Sequence, residues 1–329
     1  MTALYDVAAI GNAIVDVIAP ADDDFLAREQ LAKGSMALID QSRADQLYGR
    51  MAAGVESSGG SAGNTVAGVA SLGGKAAFIG KVAADPLGEV FAHDMRGIGA
   101  SFETAALADG PATGRCLINV TPDGERTMCT FLGAAIELTA DDVTPAVIEG
   151  ATNLYLEGYL FDPPQARRAF AKAAGLARAA GRRIALSLSD AFVVERHRHA
   201  LMAFIETQVD IIFANETEIC ALLETADFDT AAAAIGRRVR TAALTRGARG
   251  SLVLDGGASF VIAADPVDKV VDTTGAGDQY AAGFLFGLAA GRPAEASGRL
   301  GSLAASEVIS HYGPRPVVAL KGLAAARGL

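Results

Sequence analysis

Residues 267–278 read Val-Asp-Lys-Val-Val-Asp-Thr-Thr-Gly-Ala-Gly-Asp, and this stretch joins a short apolar run to the start of an apolar helix. The pattern predicts a strand over 267–271 and a helix from Gly275 to Ala290, with Gly291 just past the helix end. A glycine turn between a strand and a helix lets the backbone approach a ligand closely. The helix N-terminus also directs free N–H groups toward an anion.

The chain on either side of this turn has the alternation typical of α/β proteins. Short apolar runs alternate with longer helical segments, which predicts a doubly wound, mostly parallel central sheet flanked by helices on both faces. The predicted strands are 4–10, 75–82, 184–188, 209–214, 242–245 and 251–254, and the predicted helices are 62–72, 164–180, 275–290 and 294–310.

Two segments, 12–40 and 112–133, interrupt the alternation with extra strand-like runs. In the second segment a Thr-Pro-Asp-Gly sequence at 121–124 separates two apolar runs, which predicts a β-hairpin. We expect the two segments to form one small β-sheet that projects as a lid. The large α/β domain then comprises residues 1–11, 41–111 and 134–329.

Composition excludes several classes of protein. The 329 residues include 38 acidic and 28 basic side chains, a net charge of −10 that disfavours nucleic acid and anionic membranes as partners. Three cysteines without CxxC spacing argue against a disulfide framework or a cysteine zinc site. Since neither a signal peptide nor an apolar run of about 18 residues is visible, we expect a cytoplasmic protein.

The turn at 272–278 is the strongest candidate for chemistry. Gly275, Ala276 and Gly277 would cradle a developing phosphoryl charge, and Asp278 in the first helical turn would accept a proton from an attacking hydroxyl. An acidic residue at a helix start also has an ordinary stabilising role. That role does not require the two glycines.

Two better-known phosphate loops are absent. A Walker A loop needs Gly-Lys followed by Ser or Thr, but Ala76 follows Gly74 and Lys75. The dinucleotide fingerprint needs a third glycine where this chain has Tyr280, which disfavours a nicotinamide dehydrogenase.

A second glycine turn reads Ser-Gly-Gly-Ser-Ala-Gly-Asn at 58–64 and precedes a predicted helix. Its small residues allow close approach, and Asn64 offers donors and an acceptor, which suits neighbouring sugar hydroxyls. The alternative is a flexible turn with Ser61 as the helix N-cap. Asp16 would accept hydrogen bonds from two sugar hydroxyls, or is a solvated turn residue.

Two further turns follow predicted strands. Asn215 and Glu218 stand three residues apart, which fits either a capping box or orientation of Mg²⁺ through water. The second turn contains Thr245, Gly247 and Gly250, and its glycines suit a nucleotide phosphate or ribose.

Together, the motifs at 59–64, 215–218 and 272–278 resemble those of the ribokinase-type (PfkB) carbohydrate and nucleoside kinases, in the order and spacing of that family. The likeness extends over the whole chain, and stretches such as 10–16 and 209–216 look most like the adenosine kinase branch. The resemblance implies ATP as phosphoryl donor, Mg²⁺ as helper and a large domain that binds both nucleotide and substrate.

The resemblance also assigns roles to individual residues. It implies that Asp278 is the base near the acceptor hydroxyl, that 275–277 form the anion hole and that Arg126 on the lid reaches the transferred phosphate. It suggests Asp272 and Thr274 as ligands of a monovalent cation such as K⁺, with Glu218 bound to Mg²⁺ through water and Asn215, Thr245, Gly247 and Gly250 on the nucleotide. The substrate residues it implies are Asn12, Asp16, Gly59, Gly60, Ser61, Asn64, Leu160 and Phe192, of which Asn12, Leu160 and Phe192 border the base.

The expected activity is transfer of phosphate from ATP to the 5′-hydroxyl of a ribonucleoside, with adenosine as the first choice. A kinase for a free sugar such as ribose or fructose and a catalytically silent binding regulator remain alternatives. Apolar residues at the lid edge, Met36, Leu38 and Leu132, favour a nucleoside together with Phe192, because a free sugar needs no apolar wall. Both a monomer and a homodimer paired through the lid are compatible with the sequence.

Overall fold

A computed structural model describes residues 3–329, and the strands in this range form two separate sheets. In chain order the strands are β1 (Tyr5–Ile10), β2 (Ile14–Pro20), β3 (Met36–Leu38), β4 (Val55–Gly59), β5 (Ala76–Ile79), β6 (Ser101–Phe102), β7 (Gly114–Val120), β8 (Arg126–Phe131), β9 (Ala151–Glu157), β10 (Arg183–Ser187), β11 (Ile211–Asn215), β12 (Thr241–Thr245), β13 (Ser251–Asp255) and β14 (Ala258–Ile262). The α-helices are α1 (Asp23–Arg28), α2 (Gln41–Tyr48), α3 (Ser61–Ser71), α4 (Pro86–Gly97), α5 (Pro145–Glu149), α6 (Pro164–Ala179), α7 (Ala191–Gln208), α8 (Glu216–Leu223), α9 (Phe228–Ile235), α10 (Ala276–Ala289), α11 (Ala294–Val308) and α12 (Leu320–Ala326). Short 3₁₀ turns span Gly133–Glu137, Ala140–Asp142, Gly158–Phe161 and Gly247–Arg249.

The large sheet has the order β14-β13-β12-β11-β10-β9-β1-β5-β6, and its pairings are parallel except those of β13 with β12 and with β14. Its strands are apolar on both faces because helices cover both sides of the sheet and successive side chains point to opposite sides. In β9, Leu154 and Leu156 enter the core under α6 and α7, whereas Tyr155 enters the core under α3 and α10. This arrangement confirms the predicted doubly wound, mostly parallel sheet.

The small sheet has the order β3-β8-β7-β2-β4, and β7 and β8 form the predicted antiparallel hairpin. One face packs Val17 and Leu117 against Leu47 of α2. The strand register places Asp16 and Arg126 on the opposite face. The sheet also includes β4, although sequence alone assigned the segment around Val55–Gly59 to the large domain.

The prediction of a strand over 267–271 is wrong. The segment from 263 to 275 runs as irregular backbone, and Val271 donates a single backbone hydrogen bond to Ile309 (2.8 Å). Pro266 has no N–H to contribute to a ladder, and Val270 is about half exposed. The sheet edge is formed by β14 instead.

The cysteines, the possible metal ligands and the helices of residues 3–329 place limits on other classes of site. All three cysteines are free. No group of three or more His, Cys, Asp or Glu side chains is arranged to hold a metal ion. Within this range no helix combines the length and the apolar character that crossing a membrane requires.

Candidate active site

Asp278 is held by two residues of the glycine turn at 58–64. The hydroxyl of Ser61 donates to Asp278 Oδ1 at 2.6 Å, and Asn64 Nδ2 donates to Oδ2 at 3.1 Å, across 217 and 214 positions of sequence. Burial raises the pKa of Asp278, and these two hydrogen bonds oppose that shift. The two turns predicted from separate motifs therefore meet at one carboxylate, which is the arrangement a positioned general base requires.

Glycine is required where the turn before α3 presses against β2. Gly60 has a φ of +81°, and a Cβ there would lie 2.2 Å from the carbonyl oxygen of Asn12. A Cβ on Gly59 would lie 2.5 Å from the carboxyl group of Asp16. This close packing brings Asp16 and Asn64 to the same side of the cleft.

Gly275 starts α10 with a φ of +78°, and a Cβ there would meet Pro314 at 2.6 Å. The structure differs from the predicted anion hole at Ala276, because the N–H of this residue already donates to the carbonyl of Thr273 (3.2 Å). Within residues 3–329 the N–H groups of Gly275 and Gly277 have no hydrogen-bond partner. These two groups are therefore among the donors that the start of α10 offers to an anion.

Asp16 lies between two arginines and Asp278. Burial raises the pKa of Asp16 to about 6, with the charges of Arg315 and Arg126 opposing this shift and that of Asp278 adding to it. Arg315 Nε also donates to Asn64 Oδ1 at 3.3 Å. Sequence reasoning missed Arg315, and the Gly-Pro-Arg-Pro turn at 313–316 that follows the last long helix is the signal that points to it.

The side chain of Arg126, which belongs to the lid, contacts the large domain. Its Nη2 lies 2.9 Å from Asp272 Oδ2, and both side chains are about nine-tenths buried. Within the described chain its Nε and Nη1 have no hydrogen-bond partner. The guanidinium thus retains donors for an anion, as the predicted lid arginine requires.

Asp272 has protein donors on both of its oxygens. Thr274 donates its N–H (3.1 Å) and its hydroxyl (2.7 Å) to Oδ1, and the N–H of Gly313 donates to Oδ2 (3.0 Å) beside Arg126. These contacts account for the conformation of the turn at 272–275. The role of Asp272 and Thr274 toward K⁺ stays a prediction.

Glu157 at the end of β9 is a second residue that sequence reasoning missed. It accepts hydrogen bonds from Asn12 Nδ2 (2.7 Å) and from the N–H of Ala62 (2.8 Å). Burial raises its pKa to about 7, and these donors oppose that shift. Glu157 therefore fixes the side chain of Asn12 against α3, leaving Asn12 Oδ1 without a partner in the described part of the chain.

The structure does not support the predicted contact of Leu160 with the base. This side chain is fully buried in the core under α6 and does not reach the cleft, because the 3₁₀ turn at 158–161 directs it inward with Phe161. Tyr159 is 37 % exposed and Phe192 is 72 % exposed. Burial raises the pKa of Tyr159, and nearby carboxylates, Asp278 among them, raise it further. Tyr159, next to Leu160 in the chain, is thus the partly exposed side chain of this turn.

The residues predicted to contact nucleotide lie on adjacent strand ends, where Asn215 pairs with Thr245. Asn215 and Glu218 form a capping box, in which Asn215 Oδ1 accepts from the N–H of Glu218 (2.8 Å) and Glu218 Oε2 accepts from the N–H of Asn215 (2.9 Å). Burial raises the pKa of Glu218 to about 7. The capping role is therefore present, and a contact of Glu218 with Mg²⁺ stays a prediction.

The two glycines of the next turn differ in what they do. A Cβ on Gly250 would lie 2.0 Å from the carbonyl oxygen of Ile262, so this glycine is needed for packing. Gly247 has a φ of +57° and no atom within 4 Å of a Cβ placed there. Only Gly247 therefore leaves open space at the strand end.

Comparison with known proteins identifies the class of enzyme. Residues 6–319 match the model of the pfkB family of carbohydrate kinases. The structure is similar to an adenosine kinase from Sinorhizobium meliloti (51 % identity, TM-score 0.90, 98 % of this chain and 99 % of that chain) and to a probable sugar kinase from Rhizobium etli (46 %, 0.92, 99 % of both). An adenosine kinase from Saccharomyces cerevisiae is 27 % identical over 93 % of this chain and 95 % of its own.

The chain belongs to the pfkB family. It is a phosphotransferase that acts on an alcohol group, and its relatives include nucleoside and sugar kinases.

Proposed function

We propose that the enzyme transfers the γ-phosphoryl group of ATP to the 5′-hydroxyl of adenosine, giving AMP and ADP. The observation that carries this proposal is the carboxylate of Asp278, held by Ser61 and Asn64 beside the N–H of Gly277, which has no partner in the described part of the chain. A base and anion donors at one point are what in-line phosphoryl transfer needs.

The acceptor is held on the lid side of this carboxylate. Asp16 accepts hydrogen bonds from the 2′- and 3′-hydroxyls of the ribose and Asn64 donates one to them, which leaves the 5′-hydroxyl toward Asp278. As the hydroxyl oxygen bonds to the γ-phosphorus, Asp278 takes the hydroxyl proton and the bond to the β–γ bridging oxygen breaks. The N–H of Gly277 and the guanidinium of Arg126 stabilise the negative charge on the transferred group.

The donor side fits ATP and Mg²⁺ by the chemistry of its residues. Arg126 has two guanidinium nitrogens without a partner among the described residues, and Gly247 has open space beside its backbone. Thr245 and Gly247 would contact the nucleotide, and Glu218 would hold Mg²⁺ through water. Bound Mg²⁺ supplies charge neutralisation on the phosphates.

An apolar wall favours a nucleoside over a free sugar. Tyr159 and Phe192 are exposed at the cleft side, and the lid edge exposes Met36 and Leu38 (51 % and 63 %). Such side chains would lose contact with water on covering a purine, whereas ribose alone would leave them exposed. The likeness to the Sinorhizobium meliloti adenosine kinase supports the same choice. A free-sugar kinase is the second candidate, since the Rhizobium etli protein is described as a probable sugar kinase.

The test is ADP release from ATP and Mg²⁺ with adenosine, inosine, guanosine, ribose or fructose as acceptor. We expect kcat/KM for adenosine to exceed that for ribose by at least about 10²-fold, since burying a purine contributes several kcal/mol. A higher kcat/KM for ribose or fructose would establish the free-sugar kinase instead. Tight ligand binding without ADP release for any acceptor would indicate a silent regulator.

A further inference from the structure

A cavity of about 650 Å³ opens at the edge of the large sheet opposite the active site. It is lined by residues at the amino ends of the parallel strands, including Arg183 on β10 and Ile211 on β11. The active site lies at the opposite, carboxyl ends of these strands, where Glu157 ends β9 and accepts a hydrogen bond from the N–H of Ala62 beside Ser61. Leu288, near the end of α10, also lines the cavity, so α10 extends from the anion donors at its start to this cavity.

Five arginines surround the cavity, namely Arg178, Arg182, Arg183, Arg240 and Arg292. Three of them are fixed by main-chain carbonyl groups. Arg178 Nη2 donates to Gln208 (2.7 Å), Arg182 Nε donates to Glu149 (2.8 Å) and Arg183 Nη2 donates to Leu288 (2.9 Å). These bonds orient the guanidinium groups but do not neutralise their charge.

The arginines have little compensating negative charge. Within residues 3–329, no carboxylate oxygen lies within 4.0 Å of a guanidinium nitrogen of Arg178, Arg182, Arg183 or Arg292, and Arg240 reaches Asp255 only at 3.9 Å. The two carboxylates of the cavity already have other donors, because Asp210 accepts from the N–H of Ile184 and Asp255 accepts from the hydroxyl of Thr241. A net positive site therefore exists in a chain whose net charge is −10.

The crowding of like charges is unfavourable without an anion. Burial lowers the pKa of Arg183 and the charge of Arg240 lowers it further, while the charges of Asp210 and Asp255 only partly oppose this shift. Guanidinium groups bind phosphate oxygens through paired N–H donors, and several of them converging on one cavity match a ligand with more than one phosphate oxygen. A volume of about 650 Å³ also falls within the range of small-molecule sites.

We propose that this cavity, which we name the arginine cavity, binds a small molecule bearing phosphate groups, at a site separate from the active site. Arg182, Arg183 and Arg292 supply the main contacts with the phosphate groups, and Arg240 contacts them from the exposed rim of the cavity. The proposal does not depend on which alcohol the enzyme phosphorylates.

The test is isothermal titration of the full chain with pyrophosphate in buffer without Mg²⁺. We expect wild type to bind pyrophosphate and the double variant Arg182→Gln/Arg292→Gln to bind roughly tenfold or more weakly, because two charged donors are lost. Arg240→Gln serves as a second variant, since its side chain is 79 % exposed and its replacement does not threaten folding. We expect it to weaken binding several-fold.

Two controls locate the binding. Arg299→Gln removes an exposed arginine that, among residues 3–329, pairs only with Glu295 on α11, and it should leave the affinity unchanged. Arg126→Gln weakens only binding in the catalytic cleft, so it should also leave the measured affinity unchanged. The proposal is overturned if wild type does not bind pyrophosphate at millimolar concentration, or if Arg126→Gln removes binding while the arginine cavity variants retain it.

Discussion

The proposed acceptor side of the cleft and the proposed nucleotide side are stabilised in different ways. On the acceptor side, hydrogen bonds join residues far apart in sequence, such as Ser61 with Asp278 and Arg315 with Asn64. On the nucleotide side, the bonds of Asn215 and Glu218 join residues three positions apart. A hydrogen bond between residues far apart in sequence is not needed to stabilise a local turn or helix, so it indicates that the side chain is positioned for another role. A capping box, in contrast, stabilises any helix start. The acceptor side therefore gives the stronger argument for catalysis.

The largest expected effect is at Asp278. Asp278→Asn should lower kcat for adenosine by about 10²-fold or more, because the amide cannot accept the hydroxyl proton. Thermal stability should not fall, since burial disfavours the charge that the substitution removes. Steady-state kinetics and a melting curve measure both quantities.

A matched control is Asp227→Asn, which replaces another acidic residue at a helix start. Asp227 caps α9, and Asn is an equally good N-cap, so kcat should be unchanged. General-base contributions are about 10²-fold or more, so a kcat for Asp278→Asn within about threefold of wild type would remove Asp278 from its proposed role.

The next effect concerns the lid. Arg126→Gln should lower kcat by about 10- to 100-fold, because one charged donor to the transferred group is lost. Arg115→Gln is the control, since Arg115 is also a buried lid arginine paired with a carboxylate, that of Asp45. Equal losses of kcat in the two variants would show that lid stability, rather than charge at the phosphate, is responsible.

A pH-dependent effect is expected at Asp16. Its pKa is about 6 in the folded protein and near 3.8 in the unfolded chain, so the folded state binds the proton more tightly. This contribution to stability is present below pH 3.8 and is lost as pH rises through 6. Asp16→Asn should therefore be more stable than wild type at pH 8, by at most roughly 3 kcal/mol.

The same variant should bind acceptor worse, because a carboxylate that accepts ribose hydrogen bonds is replaced. In wild type kcat/KM should rise with pH through about 6 as Asp16 ionises. Urea unfolding at pH 5 and pH 8 and the pH profile of kcat/KM measure these effects. A variant that is less stable than wild type at pH 8 would contradict the effect of burial on Asp16.

The smallest effect separates the two roles of Glu218. Glu218→Gln keeps a side-chain acceptor for the N–H of Asn215, whereas Glu218→Ala removes it and should cost about 1 kcal/mol of stability. If Glu218 also holds Mg²⁺ through water, both variants should need several-fold more Mg²⁺ for half-maximal rate. An unchanged Mg²⁺ dependence in Glu218→Gln would leave Glu218 with the capping role alone.

The sequence predicts the parts of this molecule that depend on local patterns. The alternation of apolar runs and helices predicts the large sheet, and the Pro-Asp-Gly turn predicts the lid hairpin. The strand over 267–271 fails because its three valines resemble a strand by composition, although in the described structure this segment pairs with no strand of either sheet. The segment Val55–Gly59 joins the lid through pairing with β2, which no local signal indicates.

The site is predicted where a motif combines glycine with a polar residue. Asp278, Asn64 and Asp16 come together as expected. Glu157 and Arg315 are missed because a single charged residue beside a strand end or a turn looks like a surface residue until the fold surrounds it. Leu160 is misplaced because the 3₁₀ turn decides which of three neighbouring apolar side chains faces the cleft.

The most direct test of the account is a double-mutant cycle between the two glycine turns, with Ser61→Ala, Asp278→Asn and the combined variant. In the wild-type background the loss of the Ser61 hydroxyl should lower kcat several-fold and raise the pKa seen in the pH profile, since this bond opposes the effect of burial on Asp278. In the Asp278→Asn background the same change should have almost no effect on kcat, a coupling of about 1 kcal/mol or more. Effects on kcat that add within about 0.5 kcal/mol would show that the two turns do not act on one catalytic group.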